Sequence, residues 1–195
     1  MLILMSFHID MIDNNFSERL EKGERWEERV SNWFYKKGFI CERNIFDNGD
    51  GQTTQYKVVN GSNFLFPDLT IIDTGDRKVL FYVEVKSFKK LYTNDWGLLD
   101  RTRIKSNSQY VFIEKRPFDL YLKFQKHFKR KVVISFIVGS ESGWRRKSFL
   151  YSASLNALDK KKILIKKSLP YGKRTKGGAK DRYFFNINMF REEFW

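Results

Sequence analysis

The 195-residue chain carries one cysteine, Cys41, and two histidines, His8 and His127. A single thiol excludes an internal disulfide and a cysteine-based zinc site, and it fits a reducing compartment. Two isolated histidines are too few for a zinc centre and read as structural or surface residues. No glycine-rich phosphate loop precedes a helix, so a nucleotide cofactor is not expected. No nucleophile elbow supports Ser-His-Asp chemistry. No apolar run reaches membrane length, and Met1 to Met5 is too short for a signal peptide. The expectation is a cytoplasmic protein with no membrane partner. Acidic residues are scarce in only one place. Across residues 129–182 sixteen Lys+Arg stand against three Asp+Glu, whereas the remainder is nearly balanced at twenty-one against twenty. Almost all of the net charge of +14 therefore lies in one third of the chain, the electrostatic footprint of a polyanion such as nucleic acid. A solubilising surface is the bland alternative, and an anionic membrane surface a third; no membrane-type amphipathic helix accompanies these charges.

What is present is enough apolar and aromatic residue for one globular domain with a real core. The chain is organised around residues 66–87. Phe66-Pro67-Asp68-Leu69-Thr70-Ile71-Ile72-Asp73, a turn at Thr74-Gly75-Asp76, and Val79 through Ser87 read as a β-hairpin. Strand side chains alternate faces, so Glu84 and Lys86 share one face while Val83 and Val85 share the other. Charges inside apolar strands are costly to desolvate unless paired or bound to metal. Two carboxylates from adjacent strands, Asp68 and Glu84, with Lys86 beside them, make a site for a hard divalent cation and a water molecule. A surface hairpin with a Glu–Lys ion pair is the competing interpretation, and the apolar residues around the charges argue against it.

Upstream, a helix is expected from near Glu18, capped within Asn15-Phe16-Ser17, to Lys37, stopping at Gly38. Trp26, Val30, Trp33 and Phe34 follow the helical period and form its apolar stripe. At about 100° per residue, Glu24 and Glu28 fall on the solvent side, whereas Glu27 lies roughly 75° from the centre of the stripe. Only Glu27 could reach a site between helix and sheet. A first strand follows at Phe39 to Phe46, then a loop at Asp47 to Gln52, and a hairpin at Tyr56 to Phe66 with a type I′ turn signal at Asn60-Gly61. Phe88 to Asn107 is a basic, aromatic loop with Lys89, Lys90, Trp96, Arg101 and Arg103, either a phosphate-backbone contact or a solvated surface. A helix from Pro117 to Lys129, a buried strand from Lys131 to Val138 and a strand around Phe149 to Tyr151 complete the order. Trp144 reads as core. Residues 155–182 read as a basic, mobile segment, and Tyr183 to Phe190 as a terminal strand.

Pro67-Asp68 with Glu84-Val85-Lys86 resembles the catalytic signature of the PD-(D/E)XK nuclease superfamily. Lys22-Gly23, Glu27 and Lys36-Lys37-Gly38-Phe39 look like the first helix of one branch, the archaeal Holliday junction resolvases, and Gly143-Trp144-Arg145 after an apolar strand is similar to them too. The resemblance covers roughly residues 20–150 and is interrupted by the 47–63 insert. It implies a restriction-endonuclease-like α/β core of order α-β-β-β-α-β, a mixed central sheet flanked by helices, with a basic C-terminal extension. The nuclease core and its N-terminal arm would span 1–154. Residues 155–195 would be an extension packed on the same domain. It implies a Mg²⁺-dependent endonuclease acting on DNA, with Mn²⁺ as substitute. Asp68, Glu84 and the Val85 carbonyl would hold the metal, Glu27 would hold a water or a second ion, and Lys86 would orient or deprotonate the attacking water. Lys89, Lys90, Arg101, Arg103, Arg145, Arg146, Lys147, Lys160, Lys161, Lys173, Arg174 and Lys176 would contact the nucleic acid. A homodimer acting on a four-way junction or branched DNA is the implied assembly. Restriction-type or mobile-element cleavage of duplex DNA is one alternative, and a binding protein that has lost activity on the same fold is another.

Overall fold

A helix with one apolar stripe and a hairpin with one apolar face are stable only when those surfaces cover each other. The computed structural model, which describes residues 21, 23–47, 53–88, 91–93, 108–139, 148–168 and 180–193, joins them in that way. The N-terminal arm, His8, the cap at Asn15 to Ser17, and Lys89, Lys90, Trp96, Arg101, Arg103, Trp144, Arg145, Arg146, Lys147, Lys173, Arg174 and Lys176 lie outside the described residues.

The first helix, α1, spans 23–36. It stops at Gly38, whose φ of +84° only glycine adopts without strain. The N–H of Phe39 reaches the Phe34 carbonyl at 3.2 Å and that of Gly38 reaches Tyr35 at 2.9 Å, a Schellman closure. Strands follow at β1 (Ile40–Arg43), β2 (Phe46–Asp47), β3 (Thr53–Thr54), β4 (Tyr56–Val59), β5 (Ser62–Leu65), β6 (Leu69–Ile72), β7 (Val79–Phe88), β8 (Tyr92–Thr93) and β9 (Gln109–Glu114). Then come α2 (Lys115–Phe128), β10 (Lys131–Gly139), β11 (Ser148–Ser154), α3 (Leu155–Lys161), β12 (Ile163–Ser168), β13 (Lys180–Asn186) and β14 (Arg191–Glu193).

The main sheet has the order β1-β6-β7-β10-β11-β14. Only β7 and β10 pair in parallel; the other neighbours are antiparallel. A parallel pair needs a crossover, and α2 lies within it. Helices and main-sheet strands as far as β10 therefore run α1, β1, β6, β7, α2, β10, the expected α-β-β-β-α-β order in a mixed sheet. Helix α1 buries Trp26, Val30 and Phe34 on one face of the sheet against Leu69, Ile71, Val83 and Val85. Helices α2 and α3 cover the opposite face, placing Phe118, Tyr121, Phe124, Leu155 and Leu158 against Val132, Ile134, Phe136 and Val138. Strand β10 is thus covered on both sides, which is why its sequence is a continuous apolar run rather than an alternating one.

Several expectations are corrected. The first strand ends at Arg43, because Asn44 turns its side chain to the chain around Pro67. Strand β7 continues through Phe88, and β8 occupies part of the stretch read as a loop. Residues 155–168 are not a mobile basic segment. Ser154 caps α3 by accepting the Ala157 N–H, α3 buries Leu155 and Leu158, and β12 pairs with β13. Lys160 and Lys161 are exposed on the outer side of α3. The terminal strand is split in two by a 3-10 turn at Ile187–Met189. Strand β9, absent from the sequence interpretation, joins β12, β13 and β8 in a second sheet of order β12-β13-β9-β8. One face of that sheet, with Val111, Ile113, Tyr183 and Phe185, enters the core beneath α2. Among the described residues no helix is long and apolar enough to cross a membrane.

Phe124 is fully buried and packs edge-on against Phe66 and Tyr82, with ring centroids 4.8 Å away in each case. Phe124→Ala is expected to cost about 3–5 kcal/mol by opening a cavity. Val58→Ala, at a position 64% exposed, is expected to change stability by less than about 0.5 kcal/mol. Urea denaturation with an unchanged m value measures both.

Candidate functional site

The Pro67-Asp68 corner is built by its neighbours before any chemistry enters. Asn44, buried at the end of β1, donates from Nδ2 to the Pro67 carbonyl at 2.7 Å and accepts from the Thr70 hydroxyl at 2.8 Å. Its backbone N–H reaches the Asp68 carbonyl at 2.8 Å. Three bonds from one residue therefore fix the chain on either side of Asp68. Asp68 is itself 5% exposed. Its Oδ2 accepts the Val85 N–H at 2.6 Å, and its Oδ1 accepts from the Gln55 side-chain amide. Leu69 pairs with Val83, so continuing the register sets Pro67 opposite Val85. In a strand the N–H and C=O of one residue point to the same edge, and proline has no N–H to give. The Val85 N–H turns to the Asp68 side chain, and its carbonyl receives no ladder bond from residue 67.

Alternation puts Val83 and Val85 under α1 and turns Glu84 and Lys86 to the face covered by α2. Glu84 is completely buried. Lys86 pairs with it and the Tyr121 hydroxyl reaches it from α2, which still leaves lone pairs of its two oxygens without a partner. Burial, and next the charge of Asp68, raise the Glu84 pKa to about 7 against the pull of Lys86. For Lys86 burial disfavours the ammonium, but Glu84 and then Asp68 outweigh it, so its pKa is raised and it stays protonated. Tyr121 of α2, buried beside the site, has its ionisation pushed up by burial and then by Glu84 and Asp68.

Glu27 approaches from the other side, since α1 packs on the Val83/Val85 face. Its Oε2 accepts from Arg43 Nε at 3.1 Å and Nη2 at 2.8 Å. Burial and then the charge of Asp68 raise its pKa, while Arg43 opposes them. Glu27 also acts on Lys86 at longer range. It thus shares the field of the site, whereas Glu24 and Glu28 are exposed. Among the described residues no three Asp, Glu, His or Cys side chains converge as a ready ligand set. Asp68 and Glu84, close enough for each to act on the other's charge, offer carboxylate oxygens, the donor chemistry a hard divalent cation requires. The spare lone pairs of buried Glu84 fit such an ion.

Lys160 and Lys161 are exposed in the last turn of α3. His127 is exposed with its ring 4.4 Å from that of Phe64, and Cys41 is a half-buried free thiol. Sequence reasoning did not single out Asn44, Gln55, Arg43 or Tyr121 as site residues. A polar residue ending a strand was the only signal for Asn44.

The raised Glu84 pKa has a consequence for stability. Between an ordinary carboxyl value of 4.5 and about 7, the folded state holds a proton that the unfolded state has lost. Stability must therefore fall as pH rises through that window, by on the order of 3 kcal/mol. Lys86 does not offset this trend, because a raised lysine pKa stabilises throughout the window and is lost only above the ordinary lysine range. Glu84→Gln should flatten the decline in urea titrations from pH 5 to 8 with EDTA present; an equal decline in the variant would contradict it.

No family model and no curated protein matches the chain. Among solved structures, it is similar to Hjc, a Holliday junction resolvase of the archaeal hyperthermophile Archaeoglobus fulgidus. The two are 15% identical at a TM-score of 0.44, with 87% of this chain and 87% of that chain covered.

Proposed function

We propose that the protein is a metal-dependent endonuclease that hydrolyses phosphodiester bonds in DNA. The observation that carries this is Glu84, a wholly buried carboxylate with spare lone pairs, set beside Asp68 and paired with Lys86. Burying a carboxylate costs several kcal/mol. A single lysine recovers only part of that cost, and a second carboxylate alongside adds to it. A divalent cation resolves the conflict, and Mg²⁺, with Mn²⁺ as substitute, fits the oxygen donors of Asp68, Glu84 and Val85. When bound, the ion would acidify a water and offset charge on the scissile phosphate.

The chain's own residues do the rest. Asp68 and Glu84 would hold the cation, because the Val85 N–H anchors one and the β7 backbone with α2 encloses the other. Lys86, protonated in its pair with Glu84 while no metal is bound, would stabilise the negative charge that gathers on the phosphate during attack. It would act as a base only after losing its pairing with Glu84. Its side chain is 37% exposed, which leaves it open to substrate. Glu27 is held by Arg43 at the rim, where it would accept a hydrogen bond from the incoming water. The basic residues, including Lys160 and Lys161 on α3, supply affinity that does not depend on sequence.

The motif resemblance extends the proposal to a homodimer that cuts four-way or branched DNA, since two symmetry-related sites suit paired cuts. The hairpin β4–β5 (Tyr56–Val59 and Ser62–Leu65) lies outside that pattern and would reshape the surface offered to DNA; linear duplex is the competing substrate. Asp68→Asn and Glu84→Gln should each abolish Mg²⁺- or Mn²⁺-dependent cleavage while DNA binding is retained or tightened, because each removes charge that repels phosphate. Full activity in either variant would reject the site. A panel of linear, nicked, flap and four-way substrates, with sedimentation of the protein alone and on DNA, decides the finer assignment. A monomer that cuts linear duplex as well as junctions would reject junction resolution and leave the endonuclease standing.

A further inference from the structure

The hairpin insert is fastened to the molecule at both ends of its second strand. Asn60 and Gly61 take φ values of +49° and +73°, a tight two-residue reversal, and β5 then buries Phe64 and Leu65 in the core beneath α2. Phe66 follows them into the same core and donates its N–H to the Gln55 carbonyl at 2.9 Å. One residue earlier, the Thr54 hydroxyl accepts the Tyr56 N–H at 3.1 Å. The backbone around Gln55 is thereby held on both sides. Its side chain is half-buried and points into the site, where Nε2 donates to Asp68 Oδ1.

Two carboxylates of the site, Glu27 and Asp68, are held by chemically different donors. Glu27 is held by a guanidinium, which offsets its charge. Asp68 is held by two neutral donors, the Val85 N–H on Oδ2 and the Gln55 amide on Oδ1. A carboxylate oxygen has room for two partners. Bonds to both oxygens stop rotation of the carboxylate plane, leave a lone pair on each oxygen, and leave the negative charge in place. That is the state in which a carboxylate binds a cation best. An arginine or lysine at residue 55 would give the same orientation and remove the charge.

We propose that Gln55, carried by the insert, is a positioning residue for the cation site, fixing the Asp68 carboxylate for metal without neutralising it. The inference rests on Asp68 being a cation ligand. It makes the insert part of the active centre, and it assigns residue 55 to the outer ring of groups around a metal, whose loss costs roughly 10–100-fold in affinity or activity.

The test measures Mn²⁺ binding to the full chain without DNA, by the EPR signal of free Mn²⁺ and by calorimetry. Gln55→Met keeps the length of the side chain and removes only the donor; Gln55→Ala removes both; Asp68→Asn reports on the site itself. Circular dichroism verifies that each variant is folded. The expected result is loss of binding in Asp68→Asn and a weakening of roughly tenfold or more in both Gln55 variants. If Asp68→Asn loses binding and Gln55→Met binds as tightly as the parent or more tightly, Gln55 either contributes only volume or competes for Asp68, and the proposal is overturned while the metal site stands. If Asp68→Asn binds Mn²⁺ unchanged, the site itself is rejected, and the role of Gln55 with it.

Discussion

A carboxylate sealed inside the protein at Glu84 is the constraint on which the structure turns. It sits on the longest strand of the main sheet, where β6 pairs antiparallel on one side and β10 parallel on the other. The parallel pair forces a crossover, and the crossover brings α2 and its buried Tyr121 over the carboxylate. Both the isolation of Glu84 from water and its closeness to Asp68 therefore follow from topology. Lys86 is the one cation that the strand's own alternation can supply on that face. The result is two close acids with one ammonium, an imbalance that raises the Glu84 pKa and keeps Lys86 charged.

Around that centre the protein orients its acids by different means. Asp68 is fixed by neutral amide groups, Glu84 by enclosure and an ammonium, and Glu27 by a guanidinium from β1. Pro67 belongs to the same scheme. By withholding an N–H it leaves the Val85 carbonyl without a ladder partner where β6 begins, while Asn44 takes the Pro67 carbonyl and the Val85 N–H turns to Asp68. The Pro-Asp pair thus opens the sheet beside Asp68. Asn44 ties the opened corner to β1, so the gap does not loosen the sheet.

The features legible in the sequence were those fixed by local periodicity. The alternation of Val83, Glu84, Val85 and Lys86 gave their faces directly, and the helical spacing of Trp26, Val30 and Phe34 gave the buried stripe of α1. Asn60-Gly61 marked its turn through backbone sterics. The α-β-β-β-α-β order was what the resemblance implied, and these elements with the apolar run of β10 agree with it. Features that depend on distant partners stayed hidden. Strand β9 carries Tyr110, Val111, Phe112 and Ile113 between a basic stretch and a helix, and its partner β13 lies some seventy residues further on. Residues 155–168 read as a charged tail because net charge is a property of outer positions. Two leucines three residues apart and a serine cap were enough to make a helix there. Nothing in a lone glutamine distinguishes Gln55, whose role appears only when a hairpin folds back on Asp68.

Diffraction at the manganese absorption edge from crystals grown with Mn²⁺ bears most directly on the central claim. The account predicts a strong anomalous peak within coordination distance of the Asp68 and Glu84 carboxylates, absent in crystals of Asp68→Asn. An occupied Mn²⁺ site elsewhere in the molecule, with the Glu84 carboxylate still closed on Lys86 and no density beside it at saturating metal, would contradict it.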